Sequence, residues 1–235
     1  MTKCIKEDLK YSYKKGSDRS YLSNTPRLGY WRTIYSEKLV QALNGGARVI
    51  SIDECSFNRQ LWNKYSWLPI NTSSSIINLN WLQRCSLILA VDTEGEYLGI
   101  ICDGTIDSAI YCEFLKLLAY CLHQQRIKID RNLVLTWDNA AIHHSEMTLK
   151  VLRKLQFYVH FLPAYSPELQ CVELVFHLIK KYIRQNYTDK VLNFSQSSGH
   201  NSIIEALDSY PSKKLATLWK SVLKSCIKFI KGSNN

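Results

Sequence analysis

No Cys-x-x-Cys pair occurs in this 235-residue chain, although it holds 8 cysteines, at positions 4, 55, 85, 102, 112, 121, 171 and 226. That absence argues against a zinc ribbon and a dithiol redox motif, and leaves reduced, mostly buried thiols as the plain reading. Long apolar runs are missing too. No window approaches the roughly 18 apolar residues a bilayer span needs, and the start, Met1-Thr2-Lys3-Cys4, has no apolar signal-like core. A soluble, intracellular protein is therefore expected. No internal repeat is visible, and 46% hydrophobic against 21% charged residues excludes a disordered or collagen-like chain.

Charge is the first positive signal. The formal net charge is +10, distributed as +6 over residues 1–49, −4 over 50–120, +2 over 121–180 and +6 over 181–235. Basic ends flank an acidic middle. Such a surface attracts a polyanion while its centre gathers carboxylates, as a metal-dependent nucleic-acid enzyme requires. Charge alone is equally consistent with solvated lysines on an ordinary basic protein.

Residues 1–46 carry turn-forming punctuation around weak helical patterns and read as an extended basic lead-in. From Ala47 the texture changes. Arg48 to Asp53 is a β-branched apolar run ending in a carboxylate, Ser86–Val91 and Tyr97–Cys102 flank the turn Asp92-Thr93-Glu94-Gly95, and Asn132–Trp137 is another apolar run ending at Asp138. A helix capped by Asp107 is expected over about 108–125, with Phe114, Leu117, Leu118, Cys121 and Leu122 inward. Ser145 caps a second helix bearing Met147, Val151, Leu152 and Leu155, followed by a strand at Tyr158–Leu162. The fold class is α/β, a mixed central sheet with an antiparallel first half and a parallel second half, flanked by helices. Ser166-Pro167-Glu168 has the chemistry of a helix start and predicts a helix to about Gln185. Residues 193–201 read as a loop. A last helix from Ser212 turns Leu215, Leu218, Trp219, Val222, Cys226 and Phe229 inward and Lys220, Lys224, Lys228 and Lys231 outward.

Asp53 and Asp138 each end an apolar strand, where an isolated charge is costly to desolvate. Either aspartate alone is explained by a cap, a turn or an arginine partner. Glu173 adds a carboxylate in the second turn of the expected 166–185 helix. Converging on one sheet edge, three carboxylates repel unless cations hold them, and all-oxygen ligands favour Mg²⁺ or Mn²⁺ over zinc. Two such ions suit phosphodiester chemistry.

Three blocks then carry a resemblance: Ile52-Asp53-Glu54-Cys55-Ser56-Phe57, Thr136-Trp137-Asp138-Asn139-Ala140-Ala141-Ile142-His143, and Leu162-Pro163-Ala164-Tyr165-Ser166-Pro167-Glu168-Leu169 running into Val172-Glu173. They resemble the signature blocks of the Tc/mariner-type DDE transposases, with 34 residues between the second and third acid, and Trp67 and Lys180 match commonly occupied positions. The resemblance covers about residues 45–187. It implies an RNase H-like fold, with Asp53, Asp138 and Glu173 as the catalytic, metal-binding triad holding two Mg²⁺ or Mn²⁺ ions. It also implies hydrolysis at transposon ends and attack of the freed 3′-hydroxyl on target DNA, with double-stranded DNA as partner, a homodimer, and nuclear location in a eukaryotic host. The sequence departs from the family where Gln170-Cys171-Val172-Glu173 replaces Asn-Pro-Ile-Glu, and where Phe176 replaces a tryptophan.

The two N-terminal helix-turn-helix modules that the resemblance implies are not expected within these 235 residues. The expected layout is a lead-in at 1–46, an RNase H-like catalytic domain at 47–187, and a loop with a basic amphipathic helix at 188–235. A fragment, a truncated copy, or a domesticated derivative using a separate DNA-binding protein would each have this form. Two other functions compete with the transposase: a non-catalytic DNA-binding protein derived from one, and an RNase H-like nuclease. Lys180, Lys181, Arg184 and His143 are candidate DNA contacts. Glu54 is expected on the opposite strand face from Asp53 and outside the triad. His177, four residues after Glu173, would share its helix face, and Trp31, Trp62, Trp67 and Trp81 are candidates for base stacking or core.

Overall fold

The computed structural model describes residues 25–57, 85–187 and 198–232. The apolar runs form five strands: β1 (Arg48–Phe57), β2 (Cys85–Asp92), β3 (Tyr97–Asp103), β4 (Leu133–Trp137) and β5 (Tyr158–Phe161). They make one sheet in the order β3-β2-β1-β4-β5. The β1/β2 and β2/β3 pairs are antiparallel, and the β1/β4 and β4/β5 pairs are parallel. The mixed sheet is the one expected.

Among the described residues six α-helices cover it: α1 (Pro26–Asn44), α2 (Ser108–Gln124), α3 (Glu146–Leu155), α4 (Cys171–Tyr187), α5 (Ser198–Asp208) and α6 (Ser212–Gly232). Because side chains alternate along a strand, β1 packs on both faces. Ile50 and Ile52 pack with Ile88, Leu135 and Trp137 beneath α2 and α3. On the other face Cys55 and Phe57 join Leu87, Leu89 and Val91 beneath α4 and α5, while Val49 and Val134 meet α1 and α6. Both faces being covered, β2 is buried at every position.

The caps expected at Asp107 and Ser145 are present, accepting from the backbone N–H of Ile110 and Thr148. Two residues expected inward are not: Leu117 and Met147 stand exposed, the buried stripes running instead through Phe114, Leu115 and Leu118 and through Thr148 and Leu152. The lead-in is not extended over its second half. Pro26 at the first helical position opens the 19-residue α1, whose buried face includes Arg32, Thr33, Tyr35, Ser36 and Leu39 and packs against α6. The stretch read as a loop to 201 is helical from Ser198, because Ile203, Ala206 and Leu207 recur at helical spacing and bury under α4; residues 193–197 lie outside the described segments.

Helix α6 behaves as its periodicity predicts. Leu215, Trp219, Val222 and Cys226 are buried, Leu218 and Phe229 pack partly buried beside them, and the four lysines are exposed. Trp219 Nε1 donates to the Asp92 carbonyl at 2.7 Å. Asp92 itself folds the β2–β3 turn, its Oδ1 accepting from the N–H of Glu94 and Glu96 while Oδ2 pairs with Arg48. Trp31 is half exposed on α1; Trp62, Trp67 and Trp81 lie outside the described segments. No helix among the described residues is long and apolar enough to cross a membrane.

Candidate functional site

Parallel pairing of β1 with β4 runs to Ser51 opposite Thr136. Asp53 lies two residues past that last pair on β1, and Asp138 two residues past it, just after β4. Asp53 does not end its strand as expected: β1 continues four residues further, held by β2 from Asp53 opposite Leu89 to Phe57 opposite Cys85. Asp138 does sit where β4 ends.

Glu173 arrives on α4 by a route the local sequence misreads. Pro167–Leu169 is a single 3-10 turn, Gln170 is extended, and the α-helix begins only at Cys171, so Glu173 lies in its first turn, not its second. Ser166 does not cap, because its hydroxyl donates to the Ala164 carbonyl and accepts from Arg32 Nε of α1 at 2.8 Å. The helix start is fixed to β1 instead. Ser51 Oγ accepts from the Val172 N–H at 3.2 Å, supplying one of the partners a helix N-terminus lacks. Gln170 Nε2 donates to the Ile52 carbonyl at 2.9 Å, beside the acid, where β4 no longer pairs. The departure from the family pattern at Gln170 thus ties the third acid to the strand of the first. Gln170→Ala would strand a buried carbonyl, a loss expected to cost about 1–3 kcal/mol and to appear as a lower urea midpoint with unchanged slope.

The three acids feel one another. Burial pushes the Asp53 carboxyl up to about 8, with the charges of Glu54, Glu173 and Asp138 adding and the Glu54 N–H opposing. Glu173 is raised by burial, against Lys180 and with Asp138. Asp138 goes the other way. A hydrogen bond from His143 holds it below the usual carboxylate range against partial burial, and the Ala140 N–H assists. Each aspartate has one oxygen secured: Asp53 Oδ1 accepts from the Glu54 N–H at 2.8 Å, and Asp138 Oδ1 from the Ala140 N–H at 2.9 Å. All-oxygen donors that raise one another's proton affinity fit a hard divalent cation. Among the described residues no three such donors are yet close enough to enclose one ion.

The other candidates fall into place differently. Lys180 is half-buried, its Nζ 5.9 Å from the centre of the Phe57 ring and its charge acting on Glu173. Lys181 is exposed, and Arg184 Nε donates to the Lys180 carbonyl at 3.0 Å. His177 is exposed. His143, expected at the DNA, is fully buried, which removes it from the nucleic-acid surface. Its Nε2 is 2.9 Å from Glu54 Oε1, and its Nδ1 is 2.9 Å from Asp138 Oδ1 and 3.1 Å from the Asp138 carbonyl. Burial would lower the ring's proton affinity, but the bonds to Asp138 and Glu54 raise its pKa to about 10. Glu54 does lie on the strand face opposite Asp53, yet it reaches Asp138 through this ring. Asn139 secures the same loop, donating from Nδ2 to the Leu162 carbonyl at 2.6 Å while its Oδ1 meets His144 Nε2 at 3.1 Å.

Comparison with known proteins gives two findings. The family described as DDE superfamily endonuclease matches residues 48–194. Among solved structures, the Mos1 transposase paired-end complex with left transposon end is similar at a TM-score of 0.70 and 17% identity, covering 98% of this chain and 73% of that one. The Mos1 transposase catalytic domain with Raltegravir and Mg gives 0.65 and 15%, covering 90% and 97%. The Mos1 strand transfer complex gives 0.69 and 16%, covering 95% and 67%. These likenesses establish the RNase H-like fold that the three blocks implied. No curated protein sequence matches.

Proposed function

From the premise that this chain belongs to the DDE superfamily endonucleases, we propose that it is the catalytic domain of a DNA transposase of the mariner type. The observation that carries this reading is that Asp53, Asp138 and Glu173, from two adjacent strands and one helix, lie near enough for their charges to act on one another. In this reading the three are the catalytic acids and hold two Mg²⁺ or Mn²⁺ ions. Held by these carboxylates, such ions would supply activation of a water or 3′-hydroxyl and stabilisation of the leaving oxygen of a phosphodiester.

The chain's own groups prepare that site. With Oδ1 of each aspartate bonded to the backbone, the carboxylates are restrained before a cation arrives, which limits the reorganisation needed on binding. Glu173 is placed by the bonds of Gln170 and Val172 to β1 rather than by its own side chain. Lys180 offsets the negative charge beside it, and exposed Lys181, one position on, faces the solvent where a phosphate backbone would run.

Double-stranded DNA, both transposon end and target, is the proposed substrate, and a homodimer the proposed unit. The Mos1 complexes support both, one being a paired-end complex with a transposon end and another a strand transfer complex; the Mg-containing catalytic domain supports the metal. A separate DNA-binding protein for end recognition, and a nuclear site of action in a eukaryotic host, belong to the same proposal. The test is joining of a pre-cut DNA end with a free 3′-hydroxyl to a plasmid. Products are expected with Mg²⁺ or Mn²⁺ and none with EDTA. Cleavage of RNA in an RNA–DNA hybrid without joining would replace this reading with a nuclease, and DNA binding with neither activity would replace it with a scaffold.

A further inference from the structure

We propose that Glu54 and His143 form a positioning device that orients the Asp138 carboxylate for the metal, an inference that rests on the function proposed above. The geometry is specific. His143 Nε2 meets the Glu54 carboxylate from the middle of β1, and Nδ1 lies between the Asp138 carboxylate and the Asp138 backbone carbonyl at the end of β4. Its ring is clamped by aromatics, with the Tyr111 centroid at 4.7 Å and Trp137 at 5.5 Å, and it has no solvent exposure. Asp138 Oδ1 therefore accepts from the Ala140 N–H and lies 2.9 Å from His143 Nδ1, which also meets the Asp138 carbonyl at 3.1 Å, while no described residue donates to Oδ2.

Partners on Oδ1 from two sides restrict the rotation of the carboxylate and leave Oδ2 without a donor among the described residues. Glu54 supplies what the buried ring would otherwise lack. Without it, Nε2 would be an unpartnered polar atom in an apolar cage, and the ring would be free to turn from Asp138. The chain from Glu54 through His143 to Asp138 thus gives a residue on the far face of β1 control over a ligand on the near side. Partners of this kind behind metal ligands typically govern affinity about 10- to 100-fold.

The test measures Mn²⁺ affinity by electron paramagnetic resonance titration of the folded protein, alongside metal-free melting and DNA joining. Glu54→Ala is expected to weaken Mn²⁺ binding by about tenfold and slow joining in step. Glu54→Gln, whose amide oxygen can still accept from Nε2, should recover most of both. Should Glu54→Ala fail to fold, Glu54→Met keeps the side-chain length without an acceptor and carries the same expectation. A structural role alone would shift metal-free melting and leave Mn²⁺ affinity untouched, and that result overturns the proposal. So does a Glu54→Gln variant no better than Glu54→Ala. Asp138→Asn separates the two readings: if it binds Mn²⁺ like the wild type, the metal site itself fails, whereas loss in Asp138→Asn with wild-type behaviour in Glu54→Ala refutes only the positioning device.

Discussion

In metal-free buffer at pH 8, the Asp53→Asn protein should melt above the wild type, and Mn²⁺ should reverse their order. The sign follows from the carboxyl's environment. Burial and the charges of Glu54, Glu173 and Asp138 raise Asp53 from 3.8 to about 8 in the folded chain. The folded state therefore binds that proton more tightly than the unfolded state, so stability falls as pH climbs from about 4 to about 8. Asparagine keeps the shape and carries no charge, which removes the loss. The excess in melting temperature should thus be largest near pH 8 and shrink toward pH 4. His143, also raised, loses its contribution as pH rises from 6.5 toward 10, but both proteins share it and the difference between them isolates Asp53. Each pKa unit is worth about 1.4 kcal/mol, and roughly 2–4 °C accompanies each kcal/mol at this size, so even part of the shift gives several degrees.

Mn²⁺ acts in the opposite direction on the same carboxylate. A ligand that binds only the folded state stabilises by about 2.7 kcal/mol at a hundred times its dissociation constant, and the wild type alone should gain it. Joining of DNA ends should fall about 10³-fold or more in Asp53→Asn, since several kcal/mol of charge stabilisation are lost and each 1.36 kcal/mol is tenfold in rate. Equal stabilisation of both proteins by Mn²⁺, or a metal-free variant that melts below the wild type at pH 8, would remove Asp53 from the site.

Much of this site is readable from local chemistry, because strand and carboxylate lie next to each other in the chain. The runs at 48–53 and 132–138 give β1, β4 and two of the acids directly, and alternation assigns Glu54 to its correct face. What escapes local reading is set by distant partners. Ser166-Pro167-Glu168 has every mark of a helix start, but Arg32, 134 residues away, takes the serine hydroxyl and the helix waits for Cys171. Helix α1 hides because the face it buries carries Arg32, Thr33 and Ser36, which blunts the apolar period, and because its partner α6 lies at the other end of the chain. Strand β1 outruns its apolar stretch because β2 supplies hydrogen bonds past Asp53. The link from Glu54 to Asp138 is invisible for the same reason: alternation predicts a direction, not that a histidine from another strand's loop will be waiting there.

Far from the acids, Gly95→Ala should be the most damaging conservative change among the described glycines. Gly95 closes the β2–β3 turn at φ +83°, a region where a side chain costs about 1–2 kcal/mol. Gly46 and Gly104 adopt similar angles, +77° and +84°, but a Cβ at either meets nothing within 4 Å. At Gly95 it would fall inside the Ser212 carbonyl and 2.7 Å from the Ala216 nitrogen. Those atoms are the first turn of α6, and backbone cannot yield as a flexible side chain does. Relief requires lifting the helix start, which pulls Leu215 from one core, Trp219 from another, and the Trp219 indole from the Asp92 carbonyl. Strain and lost burial together should exceed about 4 kcal/mol, a size reserved for a few named causes, and lower the melting temperature by roughly 10 °C or more at 2–4 °C per kcal/mol. Gly46→Ala and Gly104→Ala, carrying strain alone, should each fall by only a few degrees. Equal losses at all three glycines would mean that the turn and α6 do not press on each other. Because, among the described residues, the turn makes no hydrogen bond to Asp53, Asp138 or Glu173, the folded fraction of Gly95→Ala in the cold should still bind Mn²⁺, so that the stability of the scaffold and the chemistry of the site can be read separately.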